Sequence, residues 1–218
     1  MDDHSSTNRR LAAILAADIA GYSRLMGEDE AATVRDLKAH QAVVLPLVGR
    51  YGGRIIDTAG DGILAEFSSV INATECAVEI QTIMATRNEP VPESRRMRFR
   101  IGINLGDVFH DETRIYGDGI NVAARLEGIA EPGGICISRQ VFDQVSRSIK
   151  ADFQALGPRT LKNIAHPVDV FAIAPVVGGA GPGVAAANAV DLTQEIRFCT
   201  APDGVQLAYS MIGNGPPL

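Results

Sequence analysis

The chain has 218 residues, 46% hydrophobic and 21% charged, and a net charge of −6. This composition excludes a wholly disordered chain and argues against broad, non-specific nucleic-acid binding. The length suits one domain, or one domain plus a fragment.

No apolar stretch of helical character reaches the ~18 residues that a membrane span needs. The first run, Leu11–Ala17, stops at Asp18, and the tract 173–190 is broken by prolines and glycines. Arg9 and Arg10 precede the first run, but no small-residue cleavage site follows it, so it does not read as a signal peptide. Cys76, Cys136 and Cys199 are odd in number and far apart. They form neither a zinc spacing nor a disulfide framework, and reduced thiols in the cytoplasm are the simple expectation.

In chain order, residues 1–9 are polar and expected to fray. Leu11–Ile19 reads as a buried strand. Gly21-Tyr22-Ser23 turns into one long helix, with Glu28, Asp29 and Glu30 suited to its first turn, Pro46 as a kink and Tyr51-Gly52-Gly53 as its stop. Arg54–Thr58 and Ile63–Phe67 form a hairpin through Gly60-Asp61-Gly62. Ser68 or Ser69 caps a second helix running to about Arg87.

Phe99–Val108 is a strand that turns back through Phe109–Ile115. Gly117-Asp118-Gly119 opens a helix to Ala130, with Asp118 as its N-cap. Ile135–Ser138 is a strand, Gln140–Ile149 a helix, and Phe153–Ala174 strand and turn. The order of elements gives an α+β fold with a ferredoxin-like βαββαβ core. The domain spans 10–174. Residues 175–193, almost entirely Gly, Ala, Pro and Val until their last few positions, read as a linker, and 194–218 begin something new.

Two carboxylates stand out. Asp18 ends an apolar strand before a glycine turn, and Asp61 sits in the glycine hairpin. If their strands are neighbours, both reach one sheet edge, where two carboxylates can hold Mg²⁺ and leave positions for phosphate and water. The amides at Gly21–Ser23 suit an anion. The competing reading makes Asp18 a cap and Asp61 a turn residue. Asn121 and Arg125, four apart, share a helix face that could bind phosphate or simply face solvent.

Taken together, Leu15-Ala16-Ala17-Asp18-Ile19-Ala20-Gly21-Tyr22-Ser23, Ala59-Gly60-Asp61-Gly62, Phe99-Arg100-Ile101-Gly102-Ile103-Asn104 and the Asn121/Arg125 helix resemble the bacterial class III adenylyl and guanylyl cyclase catalytic domain. The resemblance implies conversion of ATP to 3′,5′-cyclic AMP and pyrophosphate with two Mg²⁺ or Mn²⁺ ions. It implies that Asp18, Asp61 and the Ile19 carbonyl hold the metals. Asn121 would orient the ribose and Arg125 would stabilise α-phosphate charge. Gly21, Tyr22, Ser23, Arg100 and Lys162 would bind the triphosphate. It further implies a head-to-tail homodimer with composite sites, in which the aspartates come from one chain and Asn121, Arg125 and Lys162 from the other. Neither nucleic acid nor membrane is an expected partner.

The positions that select the purine depart from the usual adenylyl pattern: they are Asp57 and Arg114. The pair could be an exchanged adenine reader, or a guanine reader in which Asp57 accepts from N1–H and N2–H while Arg114 donates to O6. It could also be an ion pair that reads no base. GTP is therefore the alternative substrate, and a catalytically silent regulatory module the alternative class. Finally, Ile196–Tyr209 resembles the opening strands of an α/β-hydrolase domain, without a Gly-x-Ser-x-Gly elbow.

Overall fold

The computed structural model describes residues 8–110, 115–174, 195–200 and 206–211. The chain divides into two units, Met1–Gly179 and Ala180–Leu218. The expected linker, 175–193, lies outside the described residues.

The first unit is built on an eight-stranded sheet. β1 (Asn8–Ile19), β2 (Gly53–Asp57), β3 (Ile63–Phe67) and β4 (Phe99–His110) lie in the order β2-β3-β1-β4, all antiparallel. This is the split βαβ core read from the sequence. A short β5 (Ile115–Tyr116) folds back on β4. Beyond β4 the sheet continues through β6 (Ile135–Ser138), β8 (Val168–Ile173) and β7 (Phe153–Arg159). β6 is parallel to β4 and is reached through helix α4 (Asp118–Ile129), the crossover a parallel pair needs.

Strand parity explains why β1 is a continuous apolar run. Successive side chains point to opposite faces. Ala13, Leu15, Ala17 and Ile19 enter the main core with Phe67, Ile80, Met84 and Phe99. Ala12, Ile14 and Ala16 face the other way, against Ala123 of α4. Both faces are covered, so alternation disappears.

The helices correct several expectations. The single helix after Gly21 is two: α1 (Tyr22–Glu28) and α2 (Glu30–Arg50). The break falls at Asp29, which is extended (φ −158°, ψ 93°) and whose carboxylate accepts from the Ala32 amide at 3.0 Å. Three acids in a row favoured a helix start, and Asp29 makes it by capping rather than by lying inside the first turn. Pro46 lies within α2 without ending it. Ser69 Oγ caps α3 (Val70–Asn88) by accepting from Asn72 N–H at 3.3 Å. Asp118 is the first residue of α4, not its cap. The cap position belongs to Gly117, at φ 149°, where a Cβ would lie 2.3 Å from the Asp107 carbonyl oxygen. A helix α5 (Arg139–Val145) follows β6.

Cys76 and Cys136 are buried and free, and burial pushes their thiols up to about 12 and about 11. Among the described residues no helix is long and apolar enough to cross a membrane. In the second unit, β9 (Glu195–Thr200) pairs antiparallel with β10 (Gln206–Met211).

Candidate active site

Asp18 is the penultimate residue of β1 and, by parity with Ala12, Ile14 and Ala16, belongs to the face that α4 covers. Its cross-strand partner on β4 is Arg100. Directly opposite residues on one face are the pairs that interact in a sheet. Here Arg100 Nε and Nη2 donate to the two Asp18 oxygens at 2.9 and 2.5 Å. The bidentate guanidinium–carboxylate fork is among the strongest side-chain pairings.

Asp61 reaches the same place from another element. It sits within the Ala59–Gly62 turn, closed by Gly62 N–H donating to Ala59 O at 3.1 Å, with Gly60 at φ 65°. Gln41 of α2 steadies the turn by donating to the Gly60 carbonyl at 3.3 Å. The Ile19 amide then donates to Asp61 Oδ2 at 3.0 Å. One hydrogen bond thus fixes the second carboxylate against the backbone that follows the first. Gly21 caps α1 at φ 72°, immediately beyond.

A fourth group belongs to this cluster. Glu127 of α4 puts Oε1 3.1 Å from Arg100 Nη2. Burial first, and the neighbouring Asp18 carboxylate second, push the Glu127 carboxyl up to about 8.

The other polar set lies elsewhere on the chain. Asn121 and Arg125 are exposed on α4. Arg125 Nε donates to the carbonyl of Lys162, itself exposed on the β7–β8 loop, at 3.2 Å. Beside them opens a cleft of about 870 Å³ lined by Asn104, Asp107, Asn121, Ser138 and Asn163 among others. Asp57, at the end of β2, is exposed, and its Oδ1 accepts from the following Thr58 amide at 2.8 Å. Arg114 lies outside the described residues.

Residues 5–174 match the family model described as the adenylate and guanylate cyclase catalytic domain. The chain belongs to that family. A putative adenylate cyclase of Rhizobium meliloti is 47% identical over 171 residues, 78% of this chain and 29% of the relative. An adenylate cyclase of Streptomyces coelicolor is 30% identical over 148 residues, 67% of this chain and 37% of the relative. The match therefore spans about a third of these relatives' lengths. A solved adenylate/guanylate cyclase/hydrolase from Silicibacter pomeroyi superposes with a TM-score of 0.74 at 43% identity, over 78% of this chain and 99% of that one. The adenylyl cyclase CyaB from P. aeruginosa, at 21% identity, shares the fold with a TM-score of 0.69 over 81% of this chain and 100% of that one.

The cyclase domain brings together Asp18, Ile19, Asp61 and Arg100, and separately Arg125 and Lys162. Among the described residues no three His, Cys, Asp or Glu side chains form a metal cage. The donors that do meet are hard oxygens from two carboxylates. That set fits Mg²⁺ or Mn²⁺, which bind through one or two carboxylates and keep positions for water and phosphate.

Sequence reasoning missed Glu127 and the glycines that bring it in. A Cβ at Gly102 of β4 would lie 2.2 Å from both Ala123 O and Glu127 N, and one at Gly106 2.9 Å from Gly119 Cα. The signal was available: glycine inside a strand marks close approach of another backbone.

Proposed function

We propose that the chain is a class III adenylyl cyclase, converting ATP to 3′,5′-cyclic AMP and pyrophosphate at composite sites of a head-to-tail homodimer. The observation that carries this reading is the Asp61–Ile19 contact, which joins two carboxylates at one sheet edge while Asn121, Arg125 and Lys162 stay exposed on another face. The adenylate cyclase names of the Rhizobium meliloti and Streptomyces coelicolor relatives support ATP.

In this reading Asp18, Asp61 and the Ile19 carbonyl hold two Mg²⁺ or Mn²⁺ ions. When bound, these supply Lewis-acid activation of the ribose 3′-hydroxyl and neutralise triphosphate charge. Asn121 from the partner orients the ribose so that the 3′-oxygen lies in line with the α-phosphorus. Arg125 donates to the non-bridging oxygens as charge develops there, where preorganised donors are most effective. Arg100, Lys162 and the amides of Gly21, Tyr22 and Ser23 hold the triphosphate and the departing pyrophosphate.

Asp57 favours a second reading. Its carboxylate accepts but cannot donate, and guanine offers it two N–H groups where adenine offers one amino group. With Arg114 donating to O6, the substrate would be GTP. The experiment is incubation of the purified chain with Mn²⁺ and ATP or GTP, with chromatographic separation of products. Cyclic AMP as the main product is expected. Cyclic GMP alone would make Asp57 the guanine reader. No turnover from a confirmed dimer would leave a silent nucleotide-binding module. We also propose that the residues from 194 onward begin an α/β-hydrolase-like domain, a reading supported by the cyclase/hydrolase name of the Silicibacter pomeroyi structure.

A further inference from the structure

Arg100 stands between two carboxyls. On one side it engages both oxygens of Asp18. On the other, the same Nη2 that binds Asp18 lies 3.1 Å from Glu127 Oε1. That Glu127 oxygen is buried and has no hydrogen bond among the described residues. A buried acceptor left without a hydrogen bond is destabilising, so it calls for an explanation.

The placement follows from the fold. Gly102 lets the α4 backbone lie directly on β4, two residues along the strand from Arg100. Glu127 is two residues past Arg125, about 200° around the helix. It therefore faces the sheet while Arg125 faces out.

A bidentate guanidinium and a divalent cation compete for the lone pairs of one carboxylate, and their like charges repel at that distance. A cation on Asp18 therefore favours release of at least part of the Arg100 fork. A guanidinium has only donors and needs an acceptor wherever it goes. Glu127 Oε1 is the acceptor already within reach. A carboxyl oxygen accepts an N–H in either protonation state, so the move does not depend on titration.

Resting on the metal reading above, we propose that Glu127 is a positioning residue that takes Arg100 from Asp18 when a divalent cation binds. Arg100 then stays beside the site without occupying the metal carboxylate. Cation and guanidinium compete for Asp18, and Glu127 sets the balance.

The test is Mn²⁺ titration of the nucleotide-free chain, with free Mn²⁺ read by electron paramagnetic resonance. Arg100→Gln should bind Mn²⁺ about 10-fold more tightly, the worth of one charge-assisted pair. Glu127→Leu, which removes the acceptor at similar size, should bind it several-fold more weakly. In the Arg100→Gln background, Glu127→Leu should change nothing. If it weakens binding there by the same factor, Glu127 acts only as a nearby negative charge and the transfer is refuted. Unchanged affinity in Arg100→Gln refutes the competition, even should Glu127→Leu fail to fold. Asp18→Ala separates the two readings. If it binds Mn²⁺ like the wild type, the metal assignment itself falls. If it loses Mn²⁺ while the double variant is simply additive, only the transfer falls.

Discussion

At the Asp18 end of the domain, polar groups are half-buried and both aspartates are held: Arg100 grips Asp18, and the Ile19 amide grips Asp61. At the Arg125 face, they are exposed, and Arg125 Nε donates to the Lys162 backbone. Strand register and a tight turn build the first cluster, and both are set within the chain. A helix and a loop carry the second, and its donors face outward. A carboxylate pair can be preorganised by one chain because backbone amides and a cross-strand arginine hold it. A cluster of cationic and amide donors left at the surface is free to meet an anion from outside the chain. That difference fits the proposed composite site, in which each chain would lend its finished end to the other's open face.

The most demanding test of this division breaks each half separately. Asp18→Ala and Arg125→Ala should each lower turnover by about 10³-fold, several kcal/mol of transition-state charge stabilisation. Mixed in equal amounts, the two inactive chains should recover about one quarter of wild-type activity. Half of the dimers are then mixed, and each of those holds one intact site and one doubly broken site. Recovery near zero, with subunit exchange verified by native mass spectrometry, would mean that a single chain supplies both halves.

A second test moves the boundary between the two regions. A methyl group at position 102 would meet the α4 backbone, which cannot rotate away as a side chain can. Gly102→Ala should therefore destabilise the domain by about 3 kcal/mol, the upper end for overpacking, read as a lower urea midpoint at unchanged slope. Because α4 carries Asn121 and Arg125 on one face and Glu127 on the other, turnover should fall as well. Full activity at full stability would show that the close β4–α4 approach does not position the site.

These same elements show what a single sequence can disclose. The βαββαβ order, the hairpin at Gly60–Gly62 and the strand ending at Asp18 were legible because each depends on local periodicity and on glycine's backbone freedom. So was the nearness of Asp18 and Asp61, which needs only that β1 and β3 be neighbours. The pairing of Asp18 with Arg100 was not legible, because it depends on the register between strands 82 residues apart. Glu127 was hidden for a related reason. Its helix periodicity says that it opposes Arg125, but only the contact at Gly102 says what it meets. The break at Asp29 was missed because three consecutive acids fit both a helix's first turn and its cap.

The smallest expected effect serves as the control for the larger ones. Ser69 caps α3, whose buried face packs Ala73, Ala77 and Ile80 into the main core behind β1 and β3. Ser69→Ala leaves the Asn72 amide without its acceptor and should lower stability by about 1 kcal/mol. Neither polar cluster contains Ser69 or touches its hydrogen bond, so turnover at temperatures well below the melting transition should stay within about twofold of wild type. The comparison matters because Asp18→Ala also removes the partner of a half-buried arginine and is expected to loosen the fold. If Ser69→Ala lost activity in step with its stability, the losses at Asp18 and Arg125 would measure fragility and not chemistry. If it keeps its activity while melting earlier, stability and turnover are separable in this domain, and the larger losses belong to the two clusters themselves.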